Sequence, residues 1–300
     1  MSGSAFRTLV LSEGGDVFLR DGMLMLQKEE ETLEFPISQL SSVLITTGTL
    51  RATSALLNAL TDSGVSVIFC NERKQPAGAL YSLNGNLDSA GRIMDQAGWK
   101  KEIKDLVWAE TVRQKIMNSA ALLRQVGRGE EADLIESYRE EIGIGDKTNR
   151  EAVCAKVYFH FLFGYSFTRD RACDINAALN YGYSIIASHI SRFLATSGYS
   201  TALGYHHCSR ENVWNLTYDL IEPFRAFVDR IVYEKRDDPF DREYKKVLIE
   251  VGEARAIYNG KKMTVTNAVE CFCISVLKSL AAKDADGIQI GKVKMLCETE

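Results

Sequence analysis

Between Gly204 and Arg225 the chain reads GYHHCSRENVWNLTYDLIEPFR. Two histidines stand side by side at His206 and His207, and two carboxylates follow at Asp219 and Glu222. A third carboxylate, Glu151, opens an apolar run in DKTNREAVCAKVYFHFLFG. A Glu, a His and a further Glu form a donor set suited to a hard divalent cation, Mn²⁺ or Mg²⁺, at a phosphodiester. Such an ion polarises a phosphoryl oxygen and stabilises charge on the attacking and leaving oxygens. A zinc site from His206, His207 and Cys208 fits poorly, because neighbouring side chains diverge and no Cys-x-x-Cys pair occurs. One histidine of the pair would be a ligand and the other would line the pocket or pack.

Each residue also has an ordinary reading. Thr148 and Glu151 spell a T-x-x-E capping box, in which Glu151 bonds back to the first free backbone N–H. Helical phase instead aligns Glu151 with Ala155, Tyr158 and Leu162, an apolar face on which a carboxylate must find a partner. A histidine in a polar loop is commonly just solvated. Asp219 and Glu222 lie off the stripe formed by Leu220, Phe224, Phe227 and Ile231, as on a solvated helix face. Pro223 argues the other way. It removes a helical hydrogen bond and restricts Glu222, so the backbone is expected to bend beside that carboxylate.

The elements that must position these groups change character along the chain. FRTLVLS (6–12), residues 16–29, residues 31–48 and GVSVIFC (64–70) are strand-like, and Asp21-Gly22 is a hairpin signal. One helix is expected at about 50–63, capped by Thr49 and ended by Gly64. Residues 76–95 are polar and rich in glycine, which suggests a linker. Helical periodicity then covers 99–128, 130–141, 148–163, 172–197, 212–233, 240–258 and 264–282. The predicted fold class is α+β: a small N-terminal β-sheet or sandwich domain (1–75), a linker (76–95), and a larger all-helical catalytic domain (96–300).

With 300 residues, 46% of them apolar, the chain can bury a sizeable core. Its net charge of −4 confines any nucleic-acid contact to a local basic patch. The candidates are Lys101 with Lys104, Arg113 with Lys115, Lys235-Arg236, Arg242 with Lys245-Lys246, and Lys261-Lys262. Arg169, Asp174, Asn176 and Asn180 read as braces between helices. The seven cysteines include several in apolar segments and suggest a reduced, cytoplasmic protein whose thiols are mostly core residues. No apolar run is long enough for a membrane span, and the first residues lack the pattern of a signal peptide.

Several blocks together resemble the universal CRISPR-associated integrase of the adaptation module, the Cas-one family, most of all its type II branch. They are NREAVCAKVYFHFLFG, DINAALNYGYSIIASHISRFL and GYSTALGYHH followed by DLIEPFRAFVD, with FRTLVLSEGGDVFLRDGMLMLQ near the start. Trp214 stands where the family usually has Phe. The resemblance implies metal ligands at Glu151, His207 and Glu222, with Asp219 as a further candidate and His206 as a neighbour. It implies Mg²⁺ or Mn²⁺ as cofactor. It also implies double-stranded DNA as substrate: a prespacer whose 3′-hydroxyls attack phosphodiesters at the ends of a CRISPR repeat. The implied partners are a second copy of the chain and a small ferredoxin-like adaptation protein bridging two dimers. Other type II adaptation proteins and the effector nuclease are further implied partners. A stand-alone metal-dependent nuclease and a non-catalytic helical interaction protein are the alternatives.

Overall fold

The computed structural model describes residues 7–28, 31–72, 74, 76–80, 82 and 88–296. Its N-terminal part holds β1 (Arg7–Leu11), β2 (Gly15–Arg20), β3 (Met23–Gln27), β4 (Thr32–Pro36), β5 (Leu40–Ile45), β6 (Leu50–Ala52), α1 (Ser54–Asp62), β7 (Ser66–Cys70) and β8 (Pro76–Leu80). Asp21 and Gly22 both take positive φ and turn β2 into antiparallel β3, as the Asp-Gly signal requires. One sheet runs β4-β3-β2-β6 and the other runs β1-β5-β7-β8. Leu24, Leu26, Val43, Ile45 and Val67 fill the space between them with Leu56 and Leu60 of α1. Because side chains alternate along a strand, Leu44 and Ile68 point the other way, into the helical core.

Two boundaries differ from the sequence expectation. α1 starts after Thr53, whose hydroxyl accepts from the Leu56 N–H, rather than after Thr49. β8 lies in the stretch read as linker and pairs with β7, and the same stretch also holds the start of α2 (Ser89–Ala97). Residues 81 and 83–87 of that stretch lie outside the described residues.

The helical part comprises α3 (Lys101–Gln125), α4 (Gly129–Glu141), α5 (Arg150–Phe163), α6 (Asp174–Thr196), α7 (Asn215–Ile221), α8 (Arg225–Glu234), α9 (Arg242–Ile249) and α10 (Val265–Leu280). α6 is the central strut and is buried on most of its circumference. This part is not all helical. β9 (Arg255–Tyr258), β10 (Lys261–Thr264) and β11 (Val293–Met295) form a three-stranded antiparallel sheet. Gln114 and Asn118 of α3 accept the N–H groups of Val293 and Met295, which ties β11 to the helix that carries Lys115. Among the described residues no helix is long and apolar enough to cross a membrane. Of the described thiols, Cys154 and Cys273 are core residues, Cys70 and Cys173 pack against that core, and Cys208 is exposed.

Candidate functional site

A cavity of about 410 Å³ opens between α3, α5, α6 and the α7–α8 junction, and Glu151, His207 and Glu222 all line it. Lys115, Tyr158, Arg169, Tyr183, Arg225 and Asp229 complete the part of the lining that bears chemistry.

Glu151 stands in the first turn of α5, but not in a capping box. Asp146 takes the capping role: its two oxygens accept the N–H groups of Arg150 and Glu151, each at 2.9 Å. Asp146 is buried and Thr148 is exposed. The Glu151 carboxylate is therefore free of backbone duty, and its Oε1 pairs with the Lys115 ammonium.

The same ammonium reaches Glu222 Oε2 at 2.6 Å. The two carboxylates thus converge on one cation. Glu222 is 4% exposed, so it is not on a solvated face. Its Oε1 accepts from Arg225 Nε at 2.9 Å, while Oε2 has no well-aligned hydrogen bond. Burial pushes its carboxyl up, yet Arg225 and Lys115 together hold it down at about 2. The expected bend at Pro223 takes a milder form. Glu222 stays helical (φ −53°, ψ −44°), and residues 222–224 tighten into a 3-10 turn that joins α7 to α8. Asn118 Nδ2 donates to the Pro223 carbonyl at 2.8 Å and fixes that turn to α3.

Asp219 is fully buried and organises the histidine loop. Its Oδ2 accepts the N–H groups of Tyr205 (2.6 Å) and His206 (2.9 Å). Its Oδ1 accepts the His207 N–H at 2.9 Å and contacts His207 Nδ1 at 2.6 Å. Both oxygens are thereby spent, so Asp219 holds the loop rather than serving as a spare ligand. Gly204 is required here, because an added Cβ would lie 2.4 Å from the His207 carbonyl and 2.7 Å from Asp219 Oδ2. Burial disfavours a charged His207 ring, but the hydrogen bond and charge of Asp219 outweigh it and raise its pKa. The ring's Nε2 faces away from Asp219, the arrangement typical of a metal-ligating histidine.

The donor chemistry suits a divalent cation. Two carboxylates already share one positive charge, the only partner of Glu222 Oε2 among the described residues is that same ammonium, and His207 is oriented by a carboxylate behind it. Among the described residues, no three His, Cys, Asp or Glu side chains are already gathered around one point at ligand distance. Lys115, which touches both glutamates, occupies the point on which they converge.

Sequence reasoning missed several members of this site. Lys115 stands among the surface cations read as phosphate contacts, yet its side chain is only 15% exposed. Asp146 carries no motif visible without the fold, and Arg225 lies in the DLIEPFRAFVD block without a role that the block alone assigns. Tyr158 reads as part of an apolar helix face, and the sequence singles out neither Tyr183 nor Asp229. Arg169 does brace helices, donating to Asn176 Oδ1 (2.5 Å) and Asn180 Oδ1 (2.7 Å), and it lines the cavity as well.

The family model for the CRISPR associated protein Cas1 matches residues 8–238. A CRISPR-associated endonuclease Cas1 from Neisseria meningitidis serogroup C is 32% identical over 227 residues, covering 76% of this chain and 75% of that protein. A casposase bound to an integration product superposes with a TM-score of 0.76 at 16% identity, over 93% of this chain and 92% of the casposase. A chain of a Cas6-RT-Cas1–Cas2 complex gives a TM-score of 0.78 at 16% identity, over 97% of this chain and 36% of that chain.

Proposed function

The chain belongs to the Cas1 family of CRISPR-associated proteins, and on that footing we propose that it is a metal-dependent DNA integrase that inserts prespacer DNA into a CRISPR array. The observation that carries this reading is the convergence of Glu151 and Glu222 on one buried cation beside a histidine held by a carboxylate. The solved relatives add a shared fold, and one of them is a casposase caught with its integration product.

In this reading Glu151, His207 and Glu222 hold Mg²⁺ or Mn²⁺. When bound, the ion polarises the target phosphate and offsets charge on the attacking and leaving oxygens. The protein's own residues prepare the site. Arg225 and Lys115 keep Glu222 ionised although it is buried. Asp219 fixes the His207 ring through Nδ1, which leaves its Nε2 for the ion without reorganisation. Lys115 supplies countercharge to the buried Glu222 and the half-buried Glu151. Arg169 and Arg225 place two guanidinium charges on the cavity wall, which favours a phosphate there. The nucleophile is a DNA 3′-hydroxyl. Its oxygen forms a new bond to phosphorus as the bond to the leaving 3′-oxygen breaks, so no protein nucleophile or external energy source is required. The assembly we propose is a homodimer working with a small ferredoxin-like partner; the Cas1–Cas2 complex among the structural relatives supports such a pairing.

The test is strand transfer from a labelled duplex into a plasmid that carries a repeat, with and without divalent ion and partner protein. Joined product should require a 3′-hydroxyl, and a dideoxy end should abolish it. Plasmid cleavage with no joined product from either end would identify a stand-alone nuclease instead.

A further inference from the structure

We propose that His206, backed by Trp108, is a stacking platform for one nucleobase of the DNA held at this site; the proposal rests on the DNA reading above. The His206 ring lies parallel to Trp108, with centroids 3.8 Å apart and planes 4° from coplanar. Trp108 belongs to α3 and is 2% exposed, so it is a fixed part of the core. His206 itself is exposed. With one face against Trp108, the exposed part of the ring is the opposite face and its edge.

The loop beneath the ring is clamped. Asp219 accepts the N–H groups of residues 205, 206 and 207, so the backbone around His206 is bonded to one buried carboxylate. His207 stands edge-on to both rings, at 85° to Trp108 and 89° to His206, and keeps His206 from folding over the site. His206 adjoins His207, which lines the cavity, so its ring stands beside that cavity.

A solvent-facing aromatic that is held this rigidly has an obvious ligand beside a phosphodiester site. Every base presents a π-face, and stacking on an aromatic side chain is tolerant of sequence. Because His206 adjoins His207, the base it meets belongs to a nucleotide flanking the reacting phosphate. The neighbour that sequence logic set apart from the ligand thus acquires a part in holding substrate.

The experiment places 2-aminopurine at successive nucleotides next to the 3′-end of a duplex. Its fluorescence and affinity are measured with wild type, His206→Ala and His206→Phe, in the presence of Mn²⁺. The fluorescence of one position should be quenched by wild type and by His206→Phe. His206→Ala should lose that quenching and bind the DNA about tenfold more weakly. Mn²⁺ binding and melting temperature, measured in parallel, should stay near wild type. The proposal is overturned if His206→Ala matches wild type in affinity and quenching. It is also overturned if His206→Phe behaves like alanine, since the imidazole's hydrogen bonds would then be what matters. Wild type that binds no DNA at all would bring down the DNA reading itself, a different result from either of these.

Discussion

Asp229 is buried behind the site, where Tyr158 donates to one of its oxygens and Tyr183 to the other. Burial pushes its carboxyl from 3.8 up to about 6, against the pull of those hydroxyls and of Arg169 and Arg225. Seven residues earlier, Glu222 is equally enclosed yet remains ionised, because two cations touch it directly. The difference sets a sign for stability. Asp229 holds its proton more tightly in the folded chain than in the unfolded one. Its contribution is therefore most favourable at low pH and declines as the pH rises through the window from 3.8 to about 6. A shift of this size corresponds to about 3 kcal/mol. Asp229→Asn removes the titration, so wild type should lose about 3 kcal/mol relative to the variant between about pH 4 and pH 6.5. Urea unfolding across that range checks it, and parallel stability curves would show that Asp229 does not titrate there.

α6 shows how an element can be dictated by what crosses it. At Gly182 an added Cβ would meet Val228 Cγ1 at 2.4 Å and Leu248 Cδ2 at 3.2 Å, so α8 and α9 approach closely only because no side chain is there. Gly182→Ala should cost about 1–3 kcal/mol despite alanine's better helix propensity, as read from its denaturation midpoint. A stabilised variant would mean that the crossing is looser than described. Much at this scale was legible in the sequence: helices expected at 99–128, 130–141, 148–163, 172–197 and 264–282 appear within a few residues as α3, α4, α5, α6 and α10. Two kinds of element were not. β11 is a short strand whose partner β9 lies far earlier in the chain, and β9, which falls inside a stretch with helical spacing, turns into β10 at Asn259-Gly260, a hairpin signal that the helical spacing masked. The burial of Asp219 and Glu222 was hidden because α7 is enclosed on nearly every side, so the face opposite its apolar stripe still meets protein. Periodicity reports one buried face and is silent when the other is covered too. The T-x-x-E pattern misled for a related reason, since Asp146 reaches the helix start from a turn with left-handed backbone.

Among the described residues, many surface charges are paired at short range. Of the surface cations considered for DNA, Lys101 pairs with Asp105, Lys235 with Asp238, Lys246 with Glu243 and Arg242 with Glu13, while Arg113 donates to the Ile142 carbonyl. The cavity gathers three further cations, Lys115, Arg169 and Arg225, beside the carboxyl groups of Glu151, Glu222 and Asp229. The fold brings α5, the histidine loop and the α7–α8 junction together there, from positions far apart in the chain. The identity of the three candidate ligands was legible from residue types and family blocks. Their meeting on Lys115 was not, because it depends on how α3 packs against α5 and the 222–224 turn. The most direct test of the account is a Mn²⁺ titration of wild type, Glu151→Gln, His207→Ala and Glu222→Gln, followed by electron paramagnetic resonance. The account predicts one Mn²⁺ per chain in wild type and affinity lower by about tenfold or more in each variant. A wild type that binds no ion, or any of the three variants binding as wild type does, would contradict it.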